Sequence, residues 1–249
     1  MNGDVVTMMI GGVSGLLLQM LHPAVLAGVW DHSDFRSDMH GRLRRTAKFI
    51  AVTTYDHAEH GLAAIDKVNR IHAKLGGTLP DGTAYRVSDP DLLAWVHVTE
   101  TLSFLDAWVR YAEPDMSRAD QDAYLAEMAL IGEALGADPL PRDRAAAETL
   151  IQSFRPRLRA DARTHEVAAM VMRQTVGSPA VDLTAGVIMQ AGMDLLPDWA
   201  HAMHDQPRSL PRQPARGLAR TVAGILQWAY DGSPNREVWS ANVTVWPRG

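Results

Sequence analysis

Cysteine is absent from all 249 residues of the chain. That absence excludes disulfide scaffolds, Cys-ligated zinc, iron–sulfur clusters, thiolate-ligated heme and cysteine nucleophiles together. Any metal or heme must then be held by histidine or oxygen. A basic surplus is lacking too: 24 Lys and Arg stand against 29 Asp and Glu, for a formal net charge of −5. Nucleic-acid binders usually carry the opposite balance along one face, so no nucleic-acid partner is expected. No Lys or Arg precedes Arg36, whereas a signal peptide needs a basic leading region. The apolar stretch from Met8 to Val29 is interrupted by Gln19, His22 and Pro23, which suits one or two buried helices better than a stable membrane span. A cytoplasmic location follows as the default expectation. The Gly-x-Ser-x-Gly elbow of serine hydrolases and the glycine-rich loops of nucleotide folds are missing as well. Gly11-Gly12-Val13-Ser14-Gly15 looks superficially like a phosphate loop, but its glycines read as sites of close helix packing or of heme approach.

What is present is apolar and helical. With 47% hydrophobic residues, a chain of this length can bury a large core as one domain. Helical periodicity runs over residues 41–54 and 57–75, where Leu62, Ile65, Val68, His72 and Leu75 recur at spacings of three or four. Ser88-Asp89-Pro90 opens a helix to about residue 111, on which Leu93, His97, Thr101, Phe104 and Trp108 share a face. Ser117 opens another, closed by Gly136, and Pro141 opens the next, to about residue 153. Further helical windows cover roughly 164–175, 179–195, 197–204 and 214–230. Pro80-Asp81-Gly82 marks a turn or short hairpin in residues 76–88. The expected class is all-α, with a domain over 3–205 and then a proline-containing connection, a terminal helix and a tail over 206–249.

Six of the ten histidines (His22, His32, His40, His57, His60, His72) fall between residues 22 and 72. His57-x-x-His60 and His201-x-x-His204 have chelating spacing but no third ligand at a recognisable distance. His72 and His97 differ from the rest because each places a polar ring on an apolar helix face. An unpartnered buried ring nitrogen costs about 1–3 kcal/mol, so each calls for a hydrogen bond or an iron. Imidazole is the common proximal ligand of heme, and a deep apolar pocket between helices suits a porphyrin. Arg42 and Thr46, four apart, project from one helix face. They serve either as a pair that stabilises negative charge on oxygen and relays a proton, or as part of a solvated basic face with Arg44, Arg45 and Lys48.

Gly11-Gly12-Val13-Ser14-Gly15-Leu16-Leu17-Leu18-Gln19-Met20-Leu21-His22-Pro23, Gly28-Val29, His32-Ser33-Asp34-Phe35, Arg42-Leu43-Arg44-Arg45-Thr46, Arg70-Ile71-His72 and Trp95-Val96-His97 follow one another in order. From about residue 3 to residue 200 this pattern resembles the MpaB-type oxygenase family, which is similar to the catalytic domain of the bacterial rubber oxygenases, or latex clearing proteins. The resemblance implies a globin-related helical core holding heme b through one proximal histidine, in proteins that cleave isoprenoid carbon–carbon double bonds with dioxygen. Carried over residue by residue, it puts Arg42 and Thr46 on the distal heme side and His72 on the iron. His97 is the fallback ligand or a supporting group, and His22 and His32 belong to the pattern in pocket or structural roles.

Two departures stand out. Rubber-cleaving members can carry a lysine just before the distal threonine, and here that position is Arg45, whose guanidinium is a very poor iron ligand. Relatives also carry a helix ahead of the first motif; here it is either absent or lies upstream of this start. The expected function is a heme b oxygenase acting on a small apolar, isoprenoid-like substrate with dioxygen or peroxide. The alternatives are a heme or apolar-ligand carrier without turnover and a non-heme metal enzyme using His57 and His60.

Overall fold

The computed structural model describes residues 4–173 and 179–205. Among them are ten α-helices, one 3-10 turn and one two-stranded hairpin, so the chain is all-α as expected. The helices are α1 (Val5–Gln19), α2 (Pro23–His32), α3 (Met39–Tyr55), α4 (Ala58–His72), α5 (Pro90–Tyr111), α6 (Arg118–Leu135), α7 (Arg144–Phe154), α8 (Ala162–Met172), α9 (Pro179–Leu195) and α10 (Asp198–Met203). The hairpin joins β1 (Gly76–Thr78) to β2 (Ala84–Arg86), antiparallel with Gly77 opposite Tyr85, inside the predicted window. The connection at 207–214, the helix at 214–230 and the tail lie outside the described residues.

The apolar N-terminal stretch forms two helices that meet at 106°, broken at Met20–His22, where Pro23 starts α2. Among the described residues no single helix is long and apolar enough to cross a membrane. Asp4 caps α1 by accepting from the Thr7 amide at 2.7 Å.

Helix α5 is the axis of the fold. Its buried residues, Leu92, Ala94, Trp95, Val98, Thr99, Thr101, Leu102, Ser103, Phe104, Leu105, Ala107 and Tyr111, lie on every side, as in a helix enclosed by others. The expected apolar stripe on one face is therefore only part of its buried surface. Glycine lets α1 approach it: a Cβ on Gly11 would stand 2.7 Å from the Phe104 ring and 2.9 Å from both Phe104 Cα and Ser103 O. Around this seam Leu17, Leu21, Trp95, Leu105 and Phe154 are fully buried.

Two details correct the periodicity. Leu62 is 57% exposed, and the inward side of α4 runs Gly61, Ile65, Val68, His72, because Gly61 lies against the Thr53 backbone of α3. Helix α7 starts at Arg144 instead of Pro141, since the Asp143 carboxylate caps it by accepting from the Ala146 amide at 2.8 Å.

Candidate functional site

Helices α3 to α5 carry Arg42, Thr46, His72 and His97, four of the residues singled out from sequence. Helices α3 and α4 form an antiparallel pair joined at Asp56–His57, and they cross closely where Gly61 meets Thr53. Moving equal numbers of residues away from that crossing brings Arg42 to the level of His72 and Thr46 to the level of Val68. Helix α4 is tied to α6 by the Asn69 amide, which donates to Ala134 O at 2.9 Å one turn before His72. Helix α5 meets the same end of α6 through His97: a Cβ on Gly132 would stand 3.1 Å from both His97 Cδ2 and Nε2. His97 thus packs on the C-terminal turns of α6, while α4 reaches them through Asn69.

His72 Nδ1 is buried without a hydrogen-bond partner, and burial lowers the basicity of the ring. His97 is enclosed more deeply, and burial brings its pKa down to about 4. Yet His97 as a residue is only half-buried, and its ring makes no hydrogen bond to the described residues. The ring is thus half-buried and unpaired in the seam between α5 and the C-terminal turns of α6. Glu100, one turn further along the same face of α5, has the same character, and burial pushes its carboxyl up to about 7.

Arg42 is enclosed, so burial lowers its basicity, and its Nη1 donates to Ser33 Oγ at 2.8 Å. Thr46 is exposed on the same face of α3. Arg45 points away from this pair to Asp38, at 3.2 Å, and Arg44 and Lys48 are exposed. The basic segment is accordingly divided: Arg42 turns inward while its neighbours are solvated.

The other histidines lie elsewhere. His22 is 7% exposed, with its ring 6.4 Å from that of Trp95 and 6.0 Å from that of Phe154, and neither ring nitrogen has a partner. Trp95 and His97 lie about 200° apart around α5, so His22 sits on the opposite side of that helix from His97. Burial, then the Arg157 charge, brings His22 down to about 4. His32 lies at the surface, with Nε2 3.1 Å from Gly76 O, and ties α2 to the hairpin. His60 pairs with Asp56 at 2.9 Å beside His57, and His204 Nε2 lies 3.0 Å from Leu17 O in the core. Among the described residues no three His, Asp or Glu side chains converge to hold a metal ion.

Sequence periodicity missed Tyr124, Tyr55 and Glu100. Tyr124, on the line of α6 that also carries Gly132, has a buried hydroxyl without a partner. Burial raises it, and the neighbouring Glu100 and Tyr55 raise it further. Tyr55 closes α3, and burial pushes its hydroxyl up to about 12. One signal was legible: Glu100 is the only formal charge between Asp91 and Asp106.

The family model for the ER-bound oxygenase mpaB/B'/Rubber oxygenase, catalytic domain, matches residues 1–228. The chain belongs to this family of oxygenase catalytic domains. No curated protein and no solved structure matches it.

Proposed function

We propose that the chain is a heme b oxygenase whose iron is held by His72 and whose substrate is a small apolar molecule oxidised with dioxygen or peroxide. The observation that carries this reading is the His72 ring: on the inward side of α4, with a buried, unpartnered Nδ1, at the level of an enclosed arginine. With no cysteine in the chain, imidazole is the fitting ligand, and His97 on α5 is a second imidazole with no hydrogen bond to the described residues. Heme, when bound, supplies the iron that activates the oxidant.

The chain's own residues do the rest. Arg42 keeps a permanent positive charge oriented by Ser33, where it stabilises negative charge that develops on oxygen. Thr46, one turn along and open to solvent, passes a proton inward. Ile65 and Val68 keep that wall apolar, which suits a hydrocarbon substrate.

The test is an absorption spectrum of the purified full chain after expression with ample heme, with and without reductant and carbon monoxide. A Soret band that His72→Ala abolishes and His97→Ala retains supports the assignment. A protein that stays colourless and binds no added heme overturns it.

A further inference from the structure

The outer side of the α3–α4 pair carries a charged surface that the proposed reaction does not use. Between Arg42 and Lys74 stand seven Lys or Arg against three Asp or Glu, in a chain whose net charge is −5. Two of those acids, Asp56 and Glu59, lie at the α3–α4 turn, so the surplus gathers at the other end, the level of Arg42 and His72. Residues 43–48 are all exposed, Leu43, Arg44, Arg45 and Lys48 among them. Six consecutive residues make more than a full turn, and a helix lying flat on the body would hide at least one of them. At the same end α4 exposes Lys67, Arg70 and Ile71, and Lys74 is exposed in the turn that follows. Among the described residues only Arg45 of these exposed cations is in an ion pair, with Asp38. Leu43 and Ile71, 36% and 48% exposed, fall at one level of the antiparallel pair, each beside an exposed arginine, Arg44 or Arg70.

We propose that this face docks on an anionic lipid surface, with Leu43 and Ile71 entering the headgroup layer and Arg44, Lys48, Lys67, Arg70 and Lys74 meeting lipid phosphates. Exposed aliphatics set among Lys and Arg are the pattern of a surface that lies on a membrane, where apolar insertion and attraction to anionic headgroups add. The charge of the face is complementary to that partner and opposite in sign to the chain as a whole. Two separated aliphatics make too little apolar area for the core of a stable protein interface. Attachment is lateral, since among the described residues no single helix is long and apolar enough to cross a membrane. Docking sets the inward side of the same helices, with Arg42 and His72, about 10 Å from the lipid, one helix diameter. An apolar substrate dissolved in the lipid then has a short path to the proposed site, although docking itself needs neither heme nor turnover.

The full chain is sedimented with vesicles of phosphatidylcholine alone and of phosphatidylcholine mixed in equal parts with phosphatidylglycerol. It should bind the mixed vesicles, release them as ionic strength rises, and leave the neutral ones unbound. Lys67→Gln and Arg70→Gln should each weaken binding about fivefold, the usual worth of one cation at such a surface. Arg118→Gln, at the other end of α6 from its contact with Asn69, should leave binding within about twofold, because the attraction fades within a Debye length. Since the chain has no cysteine, Ile71→Cys creates a single labelling site. An environment-sensitive dye there should shift to the blue on mixed vesicles, and the same dye at Thr149→Cys, exposed on α7, should not. Equal binding to both vesicles, no binding to either, glutamine variants that bind as wild type, or an unshifted dye at residue 71 would overturn the proposal. So would tighter binding to soluble polyglutamate than to the mixed vesicles, which points to an acidic protein partner. The result is independent of the Soret test: a colourless protein that docks refutes only the heme assignment, and a heme-loaded one that does not dock refutes only the lipid surface.

Discussion

Gly132 and His97 are in contact across the α5–α6 interface, with the imidazole edge where a side chain at position 132 would stand. An alanine there gains about 0.5–1 kcal/mol of helix propensity, but its Cβ lies 3.1 Å from the ring and 2.5 Å from Leu140 Cδ2. Overpacking of this kind costs about 1–3 kcal/mol, so Gly132→Ala should lower the urea midpoint. Gly186→Ala in α9, where nothing lies within 4 Å of the added Cβ, should raise it. A midpoint for Gly132→Ala above wild type would show that His97 is not held against α6.

Helix ends were readable from sequence wherever a cap is chemically marked. Asp89-Pro90 and Ser117 with Gly136 bound α5 and α6 at the predicted residues, because each cap is a local hydrogen bond or a left-handed residue. The inward side of α4 was less legible, since two overlapping stripes fit the same periodicity. The choice of Gly61 over Leu62 was made by the approach of α3, a tertiary fact. His72 and His97 could be picked out as polar rings among apolar neighbours. Tyr124 could not, because a tyrosine on an amphipathic helix carries no sign of which helix it will face. Its meaning depends on Glu100, twenty-four residues away in the chain.

His22 is buried with both ring nitrogens unpartnered on the side of α5 away from His97. His22→Leu should therefore raise stability at pH 7 by about 1–2 kcal/mol, by removing unsatisfied polar atoms, and leave heme content unchanged. The pH dependence has a definite sign. With a folded pKa of about 4 against an ordinary 6.5, the unfolded chain binds more protons through that interval. Stability falls as pH is lowered from 6.5 toward 4, and the variant should lose less. A steeper acid limb in His22→Leu than in wild type would contradict this.

Glu100 should give the opposite limb. Its folded value of about 7 lies above the ordinary 4.5, so its contribution is fully present below pH 4.5 and lost as pH rises through 7. Glu100→Gln cannot ionise. The variant should gain on wild type across that window by up to about 3 kcal/mol, followed by denaturation at closely spaced pH values. A difference between the two proteins that does not change with pH would mean that the carboxyl is hydrated as in water.

Ser33 orients Arg42 through the 2.8 Å hydrogen bond from the guanidinium to its hydroxyl, and that bond makes Ser33 a positioning residue. Ser33→Ala leaves the charge in place but frees its direction. Under the proposed function, heme content and the Soret position should stay unchanged while kcat falls roughly fivefold with little change in KM, since one orienting bond is worth about 1 kcal/mol. Arg42→Ala removes the charge itself and should cost about 10²–10³ in kcat, the usual loss for one electrostatic donor in an enclosed site. Ser33→Thr keeps the hydroxyl and should restore much of the rate. If Ser33→Ala instead raised KM alone, Arg42 would be acting on substrate binding and not on the charge that develops during reaction.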